Sequence, residues 1–171
     1  ASTTTRVLKA RLTVQGSGYS ATGKSYTLGG STSAPATVAV AASVVEKTSL
    51  NVRTGVDAGA ETLTLAWQAR YDTPASLAGF AGAWSATLGP GMVRWNIDDQ
   101  GRISGTRTTG CTYTGQLALR PERKAVVDAL VQEDCAGTRT QLGGVATLNP
   151  DSGRMSMSMV MTTADDTQAV V

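Results

Sequence analysis

The 171-residue sequence contains no histidine, and both charged and aromatic residues are scarce in it. Charged residues make up 16% of the chain, below the roughly 25% of average domains. The lack of histidine excludes histidine-based catalytic triads, zinc or haem ligation through histidine, and histidine proton shuttles. No Gly-x-Ser-x-Gly motif occurs, and no lysine has a serine three residues before it. We therefore expect a protein that is not an enzyme and that has no cofactor.

Long apolar runs and clusters of basic charge are also missing. No stretch approaches the roughly 18 apolar residues of a membrane-spanning helix. Fifteen Lys and Arg against thirteen Asp and Glu give a net charge of +2, spread along the chain. Nucleic-acid binders usually carry a clustered basic face, so we expect no nucleic-acid partner.

Cys111 and Cys135 are the only two cysteines. The midpoint between them is residue 123, inside the segment 121–124, which has the composition of a turn. One disulfide in an exported protein fits this pair, and two reduced core cysteines are the alternative. The absence of a Cys-x-x-Cys motif favours a structural role over a redox role.

Two antiparallel strands over 111–120 and 125–135 would bring these cysteines face to face. Side chains alternate along a strand, so in this register one face carries mostly apolar residues. That face consists of Tyr113, Gly115, Leu117 and Leu119 opposite Val127, Ala129, Val131 and Glu133. The alternative is a helix over 122–132, which would begin with Pro121 and bury a stripe of Val and Leu.

Most of the remaining sequence alternates with a period of two. Thr62–Tyr71 places apolar residues on one face without a break, and Val93–Ile97 runs into a turn ending at Gly101. Val38–Val52 reads as a strand pair or one long strand, and Ser76 could cap a short helical turn. Together these segments predict an all-β fold, an antiparallel meander of roughly 8–10 strands that forms a barrel or a sandwich.

The domain prediction is one β domain over residues 1–171, because each half alone would bury little apolar surface. A two-lobed arrangement with a crossover near 72–82 is the alternative.

The last strand carries an unusual run of methionines, Met155, Met157, Met159 and Met161, all on one face. Thioethers are soft ligands that suit Cu(I), which makes a copper-handling strand one hypothesis. Alternate strand positions lie about 6.6 Å apart, too far for neighbouring sulfurs to share one ion without a bend. Methionine is also an ordinary core residue, so core packing is the favoured interpretation.

Trp67, Trp84 and Trp95 are the candidates for a ligand cavity, since aromatic residues at a barrel mouth can form a small-molecule site. The alternative is that they simply fill the core. The paired carboxylates at 98–99 and 165–166 lack a calcium-loop pattern and are best explained as turn residues.

Short motifs between residues 79 and 148 resemble a family of uncharacterised exported β-rich lipoproteins of Gram-negative bacteria. The matching segments are Gly82-Ala83-Trp84, Trp95-Asn96-Ile97-Asp98, Gly101-Arg102-Ile103-Ser104-Gly105, Gly110-Cys111-Thr112-Tyr113-Thr114-Gly115 and Cys135. The resemblance implies a location in the cell envelope and a disulfide between the two cysteines. It supplies no functional residues, because the family has no established activity.

These observations predict a non-enzymatic exported protein of the bacterial envelope, acting as an interaction or structural module, with a surface antigen as one form of this role. The expected location is periplasmic, outer-membrane-associated or secreted, with a protein or envelope partner and membrane contact only through a lipid anchor outside this chain. The alternative is a small-molecule or lipid carrier that uses an apolar barrel interior.

Overall fold

The computed structural model describes residues 5–28, 35–55, 60–88, 91–122, 124–149 and 155–170. They form two curled antiparallel sheets, each a half-barrel, with one disulfide. The predicted all-β class is therefore confirmed. The chain divides into two compact units, Ala1–Ala69 and Arg70–Val171. One domain over the whole chain stays a prediction.

The first unit contains one six-stranded sheet with the order β1-β3-β4-β5-β6, in which β2 also pairs with β3. Its strands are β1 Thr5–Ala10, β2 Thr13–Gln15, β3 Gly18–Leu28, β4 Ala36–Val45, β5 Ser49–Thr54 and β6 Glu61–Ala66. The segment 38–52 is thus a strand pair. The core of this sheet is small, with Val40, Ala42 and Val52 as its buried cluster.

The alternation over Thr62–Tyr71 predicted a longer strand than the structure contains. Strand β6 ends at Ala66, and Ala69–Asp72 forms a 3-10 turn. The face expected to be buried is also exposed, with Leu63 53% and Leu65 44% accessible. Alternation of apolar residues identifies side chains that share a face, but it does not show whether anything covers that face. Strand β6 is the last strand of its sheet, which explains why this face can remain exposed.

The second unit is an eight-stranded meander in which strands adjacent in the chain, β7 to β14, pair in order. Its strands are β7 Gly82–Leu88, β8 Gly91–Ile97, β9 Arg102–Arg107, β10 Thr112–Leu119, β11 Val126–Cys135, β12 Thr138–Asn149, β13 Ser156–Thr163 and β14 Ala169–Val170. A one-turn helix, α1 Leu77–Phe80, precedes them and begins after Ser76, whose Oγ accepts a hydrogen bond from the Gly79 amide at 3.2 Å. None of the described helices is long and apolar enough to span a membrane.

The hairpin predicted around residue 123 is confirmed in both strands and register. Tyr113 lies opposite Glu133, and Leu117 lies opposite Ala129. The helix alternative over 122–132 is wrong, because Val126–Cys135 is a strand. Leu117, Val127 and Val131 are fully buried, whereas Leu119 at the turn end of the same face is 47% exposed.

Glycines on the concave face allow the second sheet to curl tightly. Gly105 lies between Trp95 and Tyr113 on the neighbouring strands, and their rings meet edge to face at 5.5 Å. Gly144 lies between Ala129 and Met161. A Cβ atom at Gly144 would overlap the Val160 carbonyl oxygen far inside van der Waals contact. Strand glycines with such close backbone approach mark sites of bending.

Replacing Gly144 by alanine should therefore destabilise the second unit, by about 1–3 kcal/mol of unfolding free energy. The adjacent Gly143 is the matched control, since a Cβ there would meet only Leu130 Cδ1, at 4.0 Å. Gly143→Ala should be neutral or stabilise by roughly 0.4–1 kcal/mol through the unfolded chain. Urea unfolding followed by tryptophan fluorescence measures both, and equal destabilisation by the two variants would contradict this account of the curl.

Candidate functional site

The disulfide between Cys111 and Cys135 closes the β10–β11 ladder at the end opposite its turn. The two Cα atoms are 4.3 Å apart, close to the spacing of about 4.5 Å in non-hydrogen-bonded antiparallel pairs. The predicted pairing is confirmed. Both cysteines belong to or pack against the core of the second unit.

Three polar residues accompany the disulfide on the concave face, and we call Arg107, Tyr113, Glu133 and the two cysteines the disulfide cluster. The Tyr113 hydroxyl donates a hydrogen bond to Glu133 Oε1 at 2.5 Å. The nearer nitrogen of Arg107 is 3.9 Å from that carboxylate oxygen, and its other terminal nitrogen donates to the Leu88 carbonyl oxygen at 2.6 Å.

Burial and the Glu133 carboxylate together raise the pKa of Tyr113 to about 12, with burial as the larger cause. The phenol is therefore neutral at physiological pH, and both sulfurs are bonded to each other. Among the described residues the disulfide cluster thus offers a carboxylate, a guanidinium and a neutral phenol. These three groups can stabilise the register of the strands and balance each other's charge. None of them is an activated nucleophile.

Two buried nitrogens near the disulfide cluster have no hydrogen-bond partner in the part of the chain that the structure describes. They are Trp95 Nε1 and Arg107 Nε. Buried donors of this kind are commonly satisfied by an ordered water. Two such donors do not by themselves define a ligand.

The sulfurs of Cys111 and Cys135 lie within 4.8 Å of a Glu133 carboxylate oxygen, which places three potential metal-ligating groups together. Thiolates are the metal-binding form of cysteine. In the disulfide form neither sulfur is a thiolate, so this group is not a metal site in the oxidised protein.

Three of the four methionines, Met157, Met159 and Met161, alternate along strand β13 as the sequence predicted. Met159 and Met161 are 9% and 3% exposed and belong to the core of the second unit, and Met157 packs against it. Met155 precedes the strand and is 56% exposed. The sulfurs of the strand thus serve core packing, and Cu(I) binding stays a prediction.

The paired carboxylates occupy turns, as expected. The Arg102 side chain donates a hydrogen bond to Asp98 and, together with hydrogen bonds from the Arg102 and Gln100 amides, lowers the pKa of the Asp98 carboxyl group. Hydrogen bonds from Thr163 and Thr167 lower the pKa of Asp165 in the same way. Both carboxylates therefore stabilise the turns in which they lie.

The three tryptophans do not share one unit. Trp84 and Trp95 are register partners on β7 and β8, and both pack against the core of the second unit. Trp84 Nε1 donates to the Phe80 carbonyl oxygen at 2.8 Å, which ties β7 to α1. Trp67 belongs to the first unit and is 42% exposed. A ligand cavity lined by tryptophan stays a prediction.

An open groove of about 300 Å³ lies beside helix α1 in the second unit. We call it the helix groove, and its apolar wall is formed by Tyr71, Pro74, Phe80, Leu148 and Met155. Its volume is at the lower end of the roughly 300–1,000 Å³ found for small-molecule pockets.

Backbone hydrogen bonds hold one wall of the helix groove against the residues that directly precede strand β11. The Ala75 amide donates to the Lys124 carbonyl oxygen at 3.2 Å, and the Ala125 amide donates to the Tyr71 carbonyl oxygen at 3.1 Å. An ion pair between Lys124 and Asp72 joins the same segments. These contacts connect the segment 71–75 to the segment 124–125 at this end of the sheet.

The first unit presents a different surface, an apolar sheet face that is partly exposed among the described residues. Val44, Leu50 and Leu65 lie side by side on β4, β5 and β6, and Leu63 lies beside buried Val52. We call Val44, Leu50, Leu63 and Leu65 the leucine face. Val44 is 51% exposed, similar to Leu63 and Leu65. Exposed apolar residues that are contiguous are typical of interaction sites.

An ion pair at the rim of this face joins the first and last strands of the sheet. Arg6 on β1 lies 2.6 Å from the carboxylate of Glu61 on β6, and both side chains are more than half exposed. The sheet therefore curls far enough for one ion pair to span its two edges. Because the pair is exposed, it contributes little to stability.

Sequence reasoning missed the helix groove and the exposure of the leucine face. Arg107 was also missed, although it shares the parity of Ile103 and Gly105 on β9, which would have placed a charge on the apolar side. Glu133 was placed on the inner face opposite Tyr113, and a carboxylate on such a face is itself a signal of a buried polar contact.

No protein-family model, no curated protein and no solved structure matches this chain significantly.

The pKa of Tyr113 gives a testable property of the disulfide cluster. A tyrosine whose pKa is raised in the folded state adds stability that is present below its ordinary value of 10.0 and lost as the pH rises through about 12. Tyr113→Phe should remove this alkaline loss, and Glu133→Gln should lower the pKa while leaving the effect of burial.

Absorbance at alkaline pH follows the ionisation of the phenol, and thermal unfolding between pH 9 and pH 12 follows the stability. Tyr71→Phe is the control, because it removes a phenol outside the cluster. An unchanged high-pH titration in Tyr113→Phe would contradict the assignment.

Proposed function

We propose that the chain is a non-enzymatic exported protein of the bacterial envelope that works as an interaction module. The observation that carries the proposal is the leucine face of the first unit, where Val44, Leu63 and Leu65 are about half exposed on one sheet face around the partly buried Leu50. Exposing such residues is costly in water, about 25 cal/mol per Å² of apolar surface. A partner that covers them would recover this free energy.

The disulfide supports the exported part of the proposal. Stable structural disulfides persist in oxidising compartments and are rare in the cytosol. Cys111 is 6% exposed and its bond lies in the ladder of two central strands. The disulfide is thus part of the folded core.

The packing of the second unit favours an interaction role over the role of a carrier that binds its ligand inside a barrel. Its concave face is occupied by its own side chains, including fully buried Leu117, Val127 and Val131. Phe80 from helix α1 is 1% exposed and packs into the same core. Because side chains of the second unit fill its concave face, we expect a partner to bind to the outer surface of the protein instead.

Export can be tested on protein made in its native cells. Alkylation of free thiols before any reduction should leave both cysteines unmodified, and alkylation after reduction should modify both. Mass spectrometry of the peptides that contain Cys111 and Cys135 measures the difference. Alkylation of both cysteines in the unreduced protein would contradict residence in an oxidising compartment.

The interaction role can be tested with a photo-reactive amino acid in place of Leu65. Illumination of native cells should give covalent adducts of discrete size, because a partner covers this residue. The matched control is the same replacement at Thr62, on the same strand but the opposite face, which should give none. Equal labelling at both positions, or none at Leu65, would contradict the proposal.

A small-molecule carrier remains the second candidate, and the helix groove is the observation that favours it. Tyr71, Phe80 and Leu148 contribute apolar surface there, enough to accept a small apolar group. Native mass spectrometry separates the two functions, since a co-purifying small molecule lost on Leu148→Glu would favour the carrier.

A further inference from the structure

The helix groove contains one charged side chain among the residues that line it, the guanidinium group of Arg70. The rest of the lining is apolar or carries a neutral hydroxyl group, as at Thr73 and Ser76. A mostly apolar wall with a few placed polar groups is the usual composition of a small-molecule site. The inference that follows names a ligand class for the carrier candidate described above, and it rests on that candidate.

We propose that the helix groove binds a small molecule that has an apolar body and one anionic head group, such as a carboxylate. The body packs against Phe80, Leu148 and Met155, and the head group accepts hydrogen bonds from Arg70. A guanidinium group stays charged at every physiological pH and presents its N–H donors in a planar fork that matches a carboxylate. The groove therefore distinguishes an anionic ligand from a neutral one of similar shape.

Tyr71 places the positive charge beside the apolar wall. The central guanidinium carbon of Arg70 lies 5.2 Å from the centre of the Tyr71 ring, within the roughly 6 Å of a cation–π contact. Tyr71 itself lines the groove. The same ring thus offers apolar surface to the body of the ligand and keeps a cation next to it for the head group.

Lys124 offsets the charge of the carboxylate that lies nearest to Arg70 in the sequence. Asp72 forms an ion pair with Lys124, and neither residue is among those that line the groove. A carboxylate with a cation beside it repels an approaching anion less than an isolated carboxylate does. The charge that a ligand meets in the groove is therefore positive.

The size and openness of the groove limit the ligand further. Its volume of about 300 Å³ suits a body of one or two rings or a short branched chain, rather than a long acyl chain. Arg70 is exposed, so the head group keeps part of its hydration when it binds. Partial hydration lowers the cost of placing an anion beside apolar surface.

Gly79 offers a way to fill the groove without altering any strand. It lines the groove from helix α1, and a Cβ atom there would meet Ser76 Oγ at 3.4 Å and Leu148 Cδ1 at 3.5 Å, which is ordinary van der Waals contact. Ser76 and Leu148 also line the groove. A longer side chain at position 79 would therefore extend into the space between them, and Gly79→Leu should block the site.

Two fluorescent probes that share a ring system test the proposal on the purified full chain. Anilinonaphthalene sulfonate carries an anionic group and phenylnaphthylamine does not, and the fluorescence of both rises in apolar surroundings. Arg70→Gln should weaken binding of the sulfonate about threefold to tenfold and change binding of the neutral probe less than about twofold. Arg70→Lys keeps the charge and should retain most of the affinity for the sulfonate. Added salt should weaken only the sulfonate.

Three variants show where the probes bind. Arg94→Gln removes an exposed arginine on β8 that does not line the groove, and it should leave both affinities unchanged. Leu65→Lys on the leucine face should also leave them unchanged. Gly79→Leu should remove binding of both probes, and Gly79→Ala, which adds only the Cβ atom, is the milder form. Circular dichroism and thermal unfolding establish that each variant is folded.

The outcomes separate the ligand class from the carrier candidate itself. Equal weakening of both probes by Arg70→Gln, or no weakening of the sulfonate, would overturn the anionic ligand class. The carrier candidate would survive that result if Gly79→Leu still removed binding of the neutral probe. Binding that is unchanged in both Gly79 variants, or no binding of either probe to the unmodified protein, would overturn both.

Discussion

The antiparallel pairing of β10 with β11 determines which side chains of the second unit face its core. Tyr113 opposite Glu133 and Leu117 opposite Ala129 fix one register, and a shift by one residue would turn every buried side chain of a strand outward. The disulfide lies in this same register and closes the end of the ladder. The neighbouring strands then continue the face on both sides, so that Ile103 and Leu142 also point into the core.

The two units bury their apolar residues to different extents, and this difference underlies the functional proposal. Large side chains fill the concave face of the second unit, and Phe80 packs against them. The buried cluster of the first unit consists of Val40, Ala42 and Val52. The same sheet face then passes without interruption into half-exposed leucines on β6. A half-exposed apolar surface of this kind is expected on a protein that buries its remaining apolar residues when it associates with a partner.

The register of the central hairpin could be predicted because two independent signals agreed. Cysteine spacing placed the turn at residue 123, and the alternation of apolar residues selected the same face. The short helix after Ser76 was also predicted, from its capping residue.

Other features depend on contacts that sequence periodicity does not encode. Leu63 and Leu65 alternate as regularly as the buried strands do, yet β6 lies at a sheet edge and remains exposed. The helix groove brings Tyr71 beside Leu148, two residues far apart in sequence. The methionine pattern correctly predicted a shared face for Met157, Met159 and Met161 but wrongly placed Met155 on the same strand, and the packing became evident only from the neighbouring strands.

Hydrogen exchange of the backbone amides, followed by mass spectrometry in dilute solution, tests most directly that the second unit completes its core and the first does not. The account predicts the slowest exchange in β10 and β11 and the fastest exchange among the longer strands in β6. Dilution keeps any association from protecting the edge. Exchange of the 61–66 segment as slow as that of 126–135 would contradict the account, because it would mean that the leucine face is already covered within a single chain.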